Sequence, residues 1–301
     1  MQSFRNLRAE CHRSSGPVLL VFPAQSRCVE SGGKCCAEEL RVNQLFKTIA
    51  TPLHSVFRDL ADPLKTRRQM RRFRKWSDQD EKRLDFYRQF VAAGDIVFDV
   101  GANLGNRAKI FSKLGATVVA IEPQGECADF LRMAFRHAAN FHLVRKALGA
   151  SPGQAEMLVC NAHTISSLSP EWVRRVKESG RFEDYEWDRT EAVQIDTLDN
   201  LIAEYGRPAF IKIDVEGFED QVVAGLSTPV RAISLEFAPE YIEGTHRCIE
   251  HLCRIGECRF QVSLGESMEF LLPNWVTAEE VRSTLAEMPP MAFGDLYARL
   301  A

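Results

Sequence analysis

Four carboxylates and one glycine turn hold the chemistry open to this chain. Asp99, Gly101, Asn103 and Gly105 lie in the run Ile-Val-Phe-Asp-Val-Gly-Ala-Asn-Leu-Gly at 96 to 105, Glu122 follows seventeen residues past Gly105, and Asp214-Val-Glu216 closes a second apolar run. A glycine turn after a buried strand lets backbone approach a ligand, and an acid at the next strand end is placed to grip ribose hydroxyls. A dinucleotide fingerprint needs glycines at the first, third and sixth loop positions, where this chain has Gly101, Asn103 and Asn106. Asp99 would also repel a diphosphate, whereas it suits a ligand with a sulfonium and an ammonium and no phosphate. S-adenosylmethionine (AdoMet) is such a ligand.

On this reading Asp99 favours the ligand's positive charges and Glu122 takes the ribose. Asp214 and Glu216 can position the donor, act as a base or hold a divalent metal. Asp214, nearer the strand end, is assigned to the cofactor's charged end, and Glu216 is the leading base. His163, in a polar loop with Ser166 and Ser167, is the reserve, and no residue is assigned to a metal.

These residues need strand ends to carry them. The apolar runs 96 to 100, 117 to 121, 209 to 213 and 232 to 237 read as buried parallel strands, and 141 to 148 as another. Helical patterns begin after Gly105 and fill 124 to 138, 196 to 205, 218 to 226 and 240 to 255. Strand and helix alternate, which means a mostly parallel sheet covered on both faces. Ser77 with Asp80, and Thr277 with Glu280, read as helix starts. Leu84, Tyr87, Phe90 and Val91 form an apolar stripe leading to the first strand. Two further strand-like stretches fall near 259 to 264 and 268 to 272, and 180 to 189 is an acidic, aromatic insertion without a period.

Three segments together resemble the FkbM family of AdoMet-dependent methyltransferases: Val97-Phe-Asp-Val-Gly-Ala-Asn-Leu-Gly105, Ile121-Glu-Pro123, and Ile195-Asp-Thr-Leu-Asp199 with Ile211-Lys-Ile-Asp-Val-Glu-Gly-Phe-Glu219. Leu235-Glu-Phe237 and Gly294-Asp-Leu-Tyr-Ala-Arg299 are also similar to its pattern. The resemblance implies an α/β, Rossmann-like class I methyltransferase with a mostly parallel seven-stranded sheet, helices on both faces, and AdoMet across the carboxyl ends of the strands. It also implies that Gly101, Asn103 and Gly105 let backbone approach the methionine portion and that adenine rests near Ala147 and Leu148. The expected reaction is O-methylation of a small-molecule or glycan hydroxyl, or a carboxyl. Nucleic acid is not the expected acceptor, since no Asn or Asp precedes a Pro-Pro-aromatic run. Asn106-Arg107 and the 180 to 189 insertion differ from the family pattern and are expected to border the substrate. Two competing readings are a nicotinamide-dependent oxidoreductase and a non-catalytic AdoMet-fold binding protein that uses a basic tract.

That tract runs from Lys65 to Lys75 through Arg67, Arg68, Arg71, Arg72 and Arg74, against a formal net charge of −3 for all 301 residues. The protein as a whole is therefore no polyanion binder, and any such role is local. Residues 1 to 50 are expected to be a disordered extension, 51 to 94 a basic and helical lead-in, and 95 to 301 the AdoMet domain. Cys28, Cys35, Cys36 and His12 have the wrong spacing for zinc. The nine cysteines include no Cys-x-x-Cys, and Cys248, Cys253 and Cys258 read as small apolar residues. No apolar stretch approaches the ~18 residues of a bilayer span. Val18 to Phe22 is too short for a signal-peptide core. A cytoplasmic, reducing location is expected.

Overall fold

The computed structural model describes residues 63–301, so the expectations for residues 1 to 50 lie outside the described residues. Contacts divide the chain after Pro52, and the described residues belong to the second unit. Its order is α1 (Pro63–Arg74), α2 (Asp78–Tyr87), β1 (Ile96–Val100), α3 (Asn106–Lys113), β2 (Thr117–Ile121), α4 (Gly125–Ala134), β3 (Phe141–Val144), β4 (Ala147–Leu148), β5 (Gly153–Cys160), α5 (Pro170–Glu178), β6 (Trp187–Asp196), α6 (Leu198–Tyr205), β7 (Phe210–Ile213), α7 (Glu219–Ala224), β8 (Ala232–Phe237), α8 (Ile242–Ile255), β9 (Cys258–Leu264), α9 (Ala278–Ala286) and β10 (Gly294–Leu300).

Seven strands form the main sheet in the order β3-β2-β1-β7-β8-β10-β9. Neighbours from β3 to β8 are parallel, while β10 runs antiparallel to both β8 and β9. This is the mostly parallel seven-stranded sheet expected from the sequence. Its central strands are mostly apolar, interrupted by Asp99 in β1, Lys212 in β7 and Ser234 and Glu236 in β8, as expected of strands covered on both faces. Phe98, Val100, Ile211 and Ile213 share one core with residues of α6, α7 and α8. Val97, Val118 and Phe210 share the other with Leu84, Tyr87, Phe90, Val91 and Phe111. Both expected helix starts are closed capping boxes, Ser77 with Asp80 and Thr277 with Glu280. Among the described residues no helix is long and apolar enough to cross a membrane.

The structure corrects three expectations. The stretch 141 to 148 is two strands: β3 joins the main sheet, and β4 joins a three-stranded sheet of order β4-β6-β5. The break falls at Arg145-Lys146, where Lys146 reaches out to Asp196. The 180 to 189 insertion runs into the long strand β6, which pairs antiparallel with β5, and α5 precedes it. Its aromatic residues Phe182, Tyr185 and Trp187 pack on Trp172 and Val176 instead of following a period. Finally, 268 to 272 forms no strand, although Leu271 N donates to Val262 O.

Register decides what the strand ends bring together. Val100 lies level with Ile121 on one side and Ile213 on the other, so the turns after β1, β2 and β7 meet at one height. The chain order reverses at β1, where open α/β sheets bind ligands. The turns are so close that a Cβ on Gly101, at φ +78°, would lie 1.8 Å from the Asp214 carbonyl oxygen. Gly101→Ala is therefore expected to destabilise the fold by roughly 2 to 4 kcal/mol, combining left-handed strain with a backbone clash. Chemical denaturation of both proteins checks this, and unchanged stability would show that the two turns can separate freely.

Candidate active site

Beyond these strand ends lies an open cleft, about 520 Å³ with the solvent at its mouth included. Its walls include Gly101, Asn103, Glu122, Ala147, Leu148, His163, Asp214 and Glu216. Eight of the ten residues singled out from the sequence thus meet in one place.

At the β2 end, Glu122 is almost fully buried and held from both sides. Its Oε2 accepts the Asn103 N–H at 2.7 Å and its Oε1 the Gln124 N–H at 2.8 Å. The first of these bonds needs Asn103 in the left-handed region, at φ +50°, which asparagine tolerates better than most residues. Burial raises the Glu122 carboxyl to about 7 against the pull of those two donors. Each carboxylate oxygen keeps acceptor capacity for a hydroxyl. Asn103 Nδ2 and Gln124 Nε2 both donate to the His163 carbonyl, at 3.2 and 3.0 Å, and Ser166 Oγ donates to Gln124 Oε1. The loop carrying His163 is tied to the cleft by these bonds, and burial lowers the His163 imidazole to about 4. Ala147, Leu148, Met157, Leu168 and Phe218 supply an apolar wall. Ala147 and Leu148 are held there by pairing of β4 with β6.

At the β7 end the turn is locked in place. Glu216 at φ +55° and Gly217 at +85° are consecutive left-handed residues. Glu219 accepts the N–H groups of Val215 and Gly217 at 3.0 Å each. Ser167 Oγ donates to the Glu216 carbonyl at 2.6 Å, and Trp172 packs so closely on Gly217 that a Cβ would lie 2.2 Å from the indole. Carboxylate oxygens of Asp214, Glu216 and Glu236 all come within 4.8 Å of one another. Burial first, and then the nearby Asp214 charge, raise Glu216 and Glu236 well above the usual carboxylate range. Such oxygens suit a cationic ligand, a shared proton or a hard divalent ion.

The nearby counter-charge is Lys212, 1% exposed. Its Nζ lies 3.2 Å from Asp214 Oδ2 and 3.0 Å from Asp295 Oδ1, and donates to the Ile213 carbonyl. Burial alone would lower this amine, yet the two carboxylates hold it well above its ordinary range.

Two assignments are corrected. Asp99 does not line the cleft, because strand alternation turns it to the face opposite Val100, level with Lys212. It is 2% exposed there, and its Oδ2 has no hydrogen-bond partner. Gly105 does not line the cleft either. It is the left-handed N-cap of α3, and a Cβ there would strike Leu131 and Phe135. Nor do Asn106-Arg107 and 180 to 189 border the cleft, since Arg107 turns away to pair with Glu266 at 2.7 Å. The sequence reading passed over Glu236, Glu219 and Gln124 as site residues. A carboxylate near the end of apolar strand β8 was the available signal for Glu236.

Burial raises Asp99 from 3.8 to about 7. The folded protein holds that proton more tightly than the unfolded chain does. Its contribution is thus full below pH 3.8 and is lost as the pH rises towards 7. Asp99→Asn is expected to flatten the fall in Tm across this window relative to the parent protein. Parallel melts with identical slopes would show that Asp99 ionises at no cost in the fold.

A family model described as the methyltransferase FkbM domain matches residues 99–288. No curated protein matches the chain. Among solved structures, the precorrin-6y C5,15-methyltransferase of Geobacter metallireducens GS-15 is 13% identical at a TM-score of 0.39, covering 74% of this chain and 87% of its own. A putative O-methyltransferase from Klebsiella pneumoniae is 10% identical at 0.39, covering 87% and 96%. The O-methyltransferase from Bacillus cereus in complex with SAH is 11% identical at 0.37, covering 88% and 91%. Likenesses this distant carry no argument about activity. The family match spans more than half of the chain, over the segments that build the sheet and the cleft, and the protein belongs to the FkbM methyltransferase family.

Proposed function

We propose that the protein uses AdoMet to methylate a hydroxyl of a small molecule or glycan. The observation that carries this reading is a cleft with a doubly anchored acid at one end, an acidic trio at the other, and a glycine turn between them. Glu122 would take the two ribose hydroxyls on its remaining lone pairs, Ala147 and Leu148 would flank adenine, and Asp214 would face the methionine ammonium past Gly101. When bound, AdoMet supplies a methyl group already activated on a sulfonium.

Much of the acceleration then lies in alignment, for which the locked turn at 214 to 217 is suited. The remaining requirement is a proton acceptor. In transfer to a hydroxyl, the acceptor oxygen would give up its proton to Glu216 as it takes on the methyl group. Burial and the Asp214 charge raise the affinity of Glu216 for protons, and a cationic ligand in the cleft would favour the ionised form that can accept one. His163, low in basicity through burial, is the weaker base. A carboxyl acceptor would need no base at all. The described cysteines are all unpaired, which supports the cytoplasmic reading.

Glu216→Gln is expected to lower kcat by roughly 10² to 10⁴ with AdoMet affinity nearly intact, whereas Asp214→Asn weakens AdoMet itself. Calorimetry with AdoMet and NADH, followed by product analysis with labelled AdoMet, separates these effects. Measurable NADH binding without AdoMet binding would favour the oxidoreductase reading. Full turnover of Glu216→Gln on a hydroxyl acceptor would remove Glu216 as the base.

A further inference from the structure

The strongest charge on the molecule plays no part in the cleft. Arg67, Arg68, Arg71, Arg72, Arg74 and Lys75 lie on α1 or just past its end, and all are exposed. Among the described residues none of the six has a carboxylate partner. On helical spacing, Arg67, Arg71 and Arg74 form one stripe and Arg68, Arg72 and Lys75 the next. Met70 and Phe73 occupy the remaining side and are packed on Leu104, Cys127 and Phe130. The helix is thereby pinned to the domain by its apolar side, with its outer face cationic over roughly 12 Å of its length.

We propose that this face docks the protein on an anionic lipid surface. The occupied apolar side means that α1 cannot embed, so the contact is electrostatic and peripheral. The six cations stand together on one exposed side of the helix and its end, while the chain carries a net −3, so a flat anionic surface can meet the cations as a group. A polynucleotide would need a basic groove to follow, and the cleft instead presents Glu122, Asp214 and Glu216. Trp76, directly after Lys75, is 37% exposed, an amphipathic ring at the edge of the patch of the kind favoured at headgroup level. The docking does not depend on the acceptor or on AdoMet binding.

The test is co-sedimentation of the full chain with phosphatidylcholine vesicles, with or without phosphatidylserine, over a range of salt. Binding is expected only with phosphatidylserine and is expected to weaken as salt rises. Each basic residue near such a surface contributes about fivefold in affinity, so Arg67, Arg68, Arg71 and Arg72 changed together to Gln should cost on the order of 10²- to 10³-fold. Tm should not move, because these side chains are exposed and glutamine keeps the helix. Absence of binding to phosphatidylserine vesicles, or binding indifferent to the four substitutions, would overturn the proposal. So would an RNA duplex that binds through the same arginines more tightly than the vesicles do.

Discussion

Everything in the site depends on the contact between the turn after β1 and the turn after β7. Parallel pairing sets Val100 level with Ile213, and the Asp214 N–H donates to the Val100 carbonyl at 3.0 Å. From there the two chains diverge around a point where only hydrogen fits on Gly101. On one side Asn103 reaches Glu122, and on the other Asp214 and Glu216 reach Glu236. Any side chain at Gly101 would push apart the two ends that a ligand must bridge.

Electrostatics imposes a second constraint beneath the first. Several acids lie in or under the cleft floor, where ionisation is opposed by burial. Lys212 offsets part of this by touching Asp214 and Asp295 together. Glu219 and Glu122 are instead held by backbone N–H groups. The floor therefore keeps a surplus of acid on the side facing the cleft. A cation there would favour the ionised forms of Glu216 and Glu236, which ties ligand charge to their proton content.

The second sheet supplies the wall that the main sheet lacks. β5 and β6 carry Met157 and hold β4, while the loop between β5 and α5 brings His163, Ser166 and Leu168 over the strand ends. That loop is fastened at both ends of the cleft, by Asn103 and Gln124 on one side and by Ser167 to the Glu216 carbonyl on the other. The fastening takes the His163 carbonyl together with the Ser166 and Ser167 hydroxyls, which bond Gln124 and the Glu216 carbonyl, so it fixes both the loop's path and two of its side chains.

The sequence by itself determined the sheet and most of the cleft. Unbroken apolar runs ending in glycine or acid can only be buried parallel strands with their turns at one edge, and alternation with helices orders them. It therefore found Gly101, Asn103, Glu122, Asp214 and Glu216 from spacing along the chain. Only the tertiary structure decided which way each side chain turns at a strand end. One residue along β1 separates Val100 in the cleft wall from Asp99 behind it, and the run of residues through both does not record which of them faces the cleft. Gly105 likewise owes its place to the packing of α4, and Glu236 its role to the neighbours of β8, partners far away in sequence. The small sheet was illegible for the same reason, since β6 is a half-exposed strand and the aromatic residues at and just before its start pack on α5, a contact that no local period records.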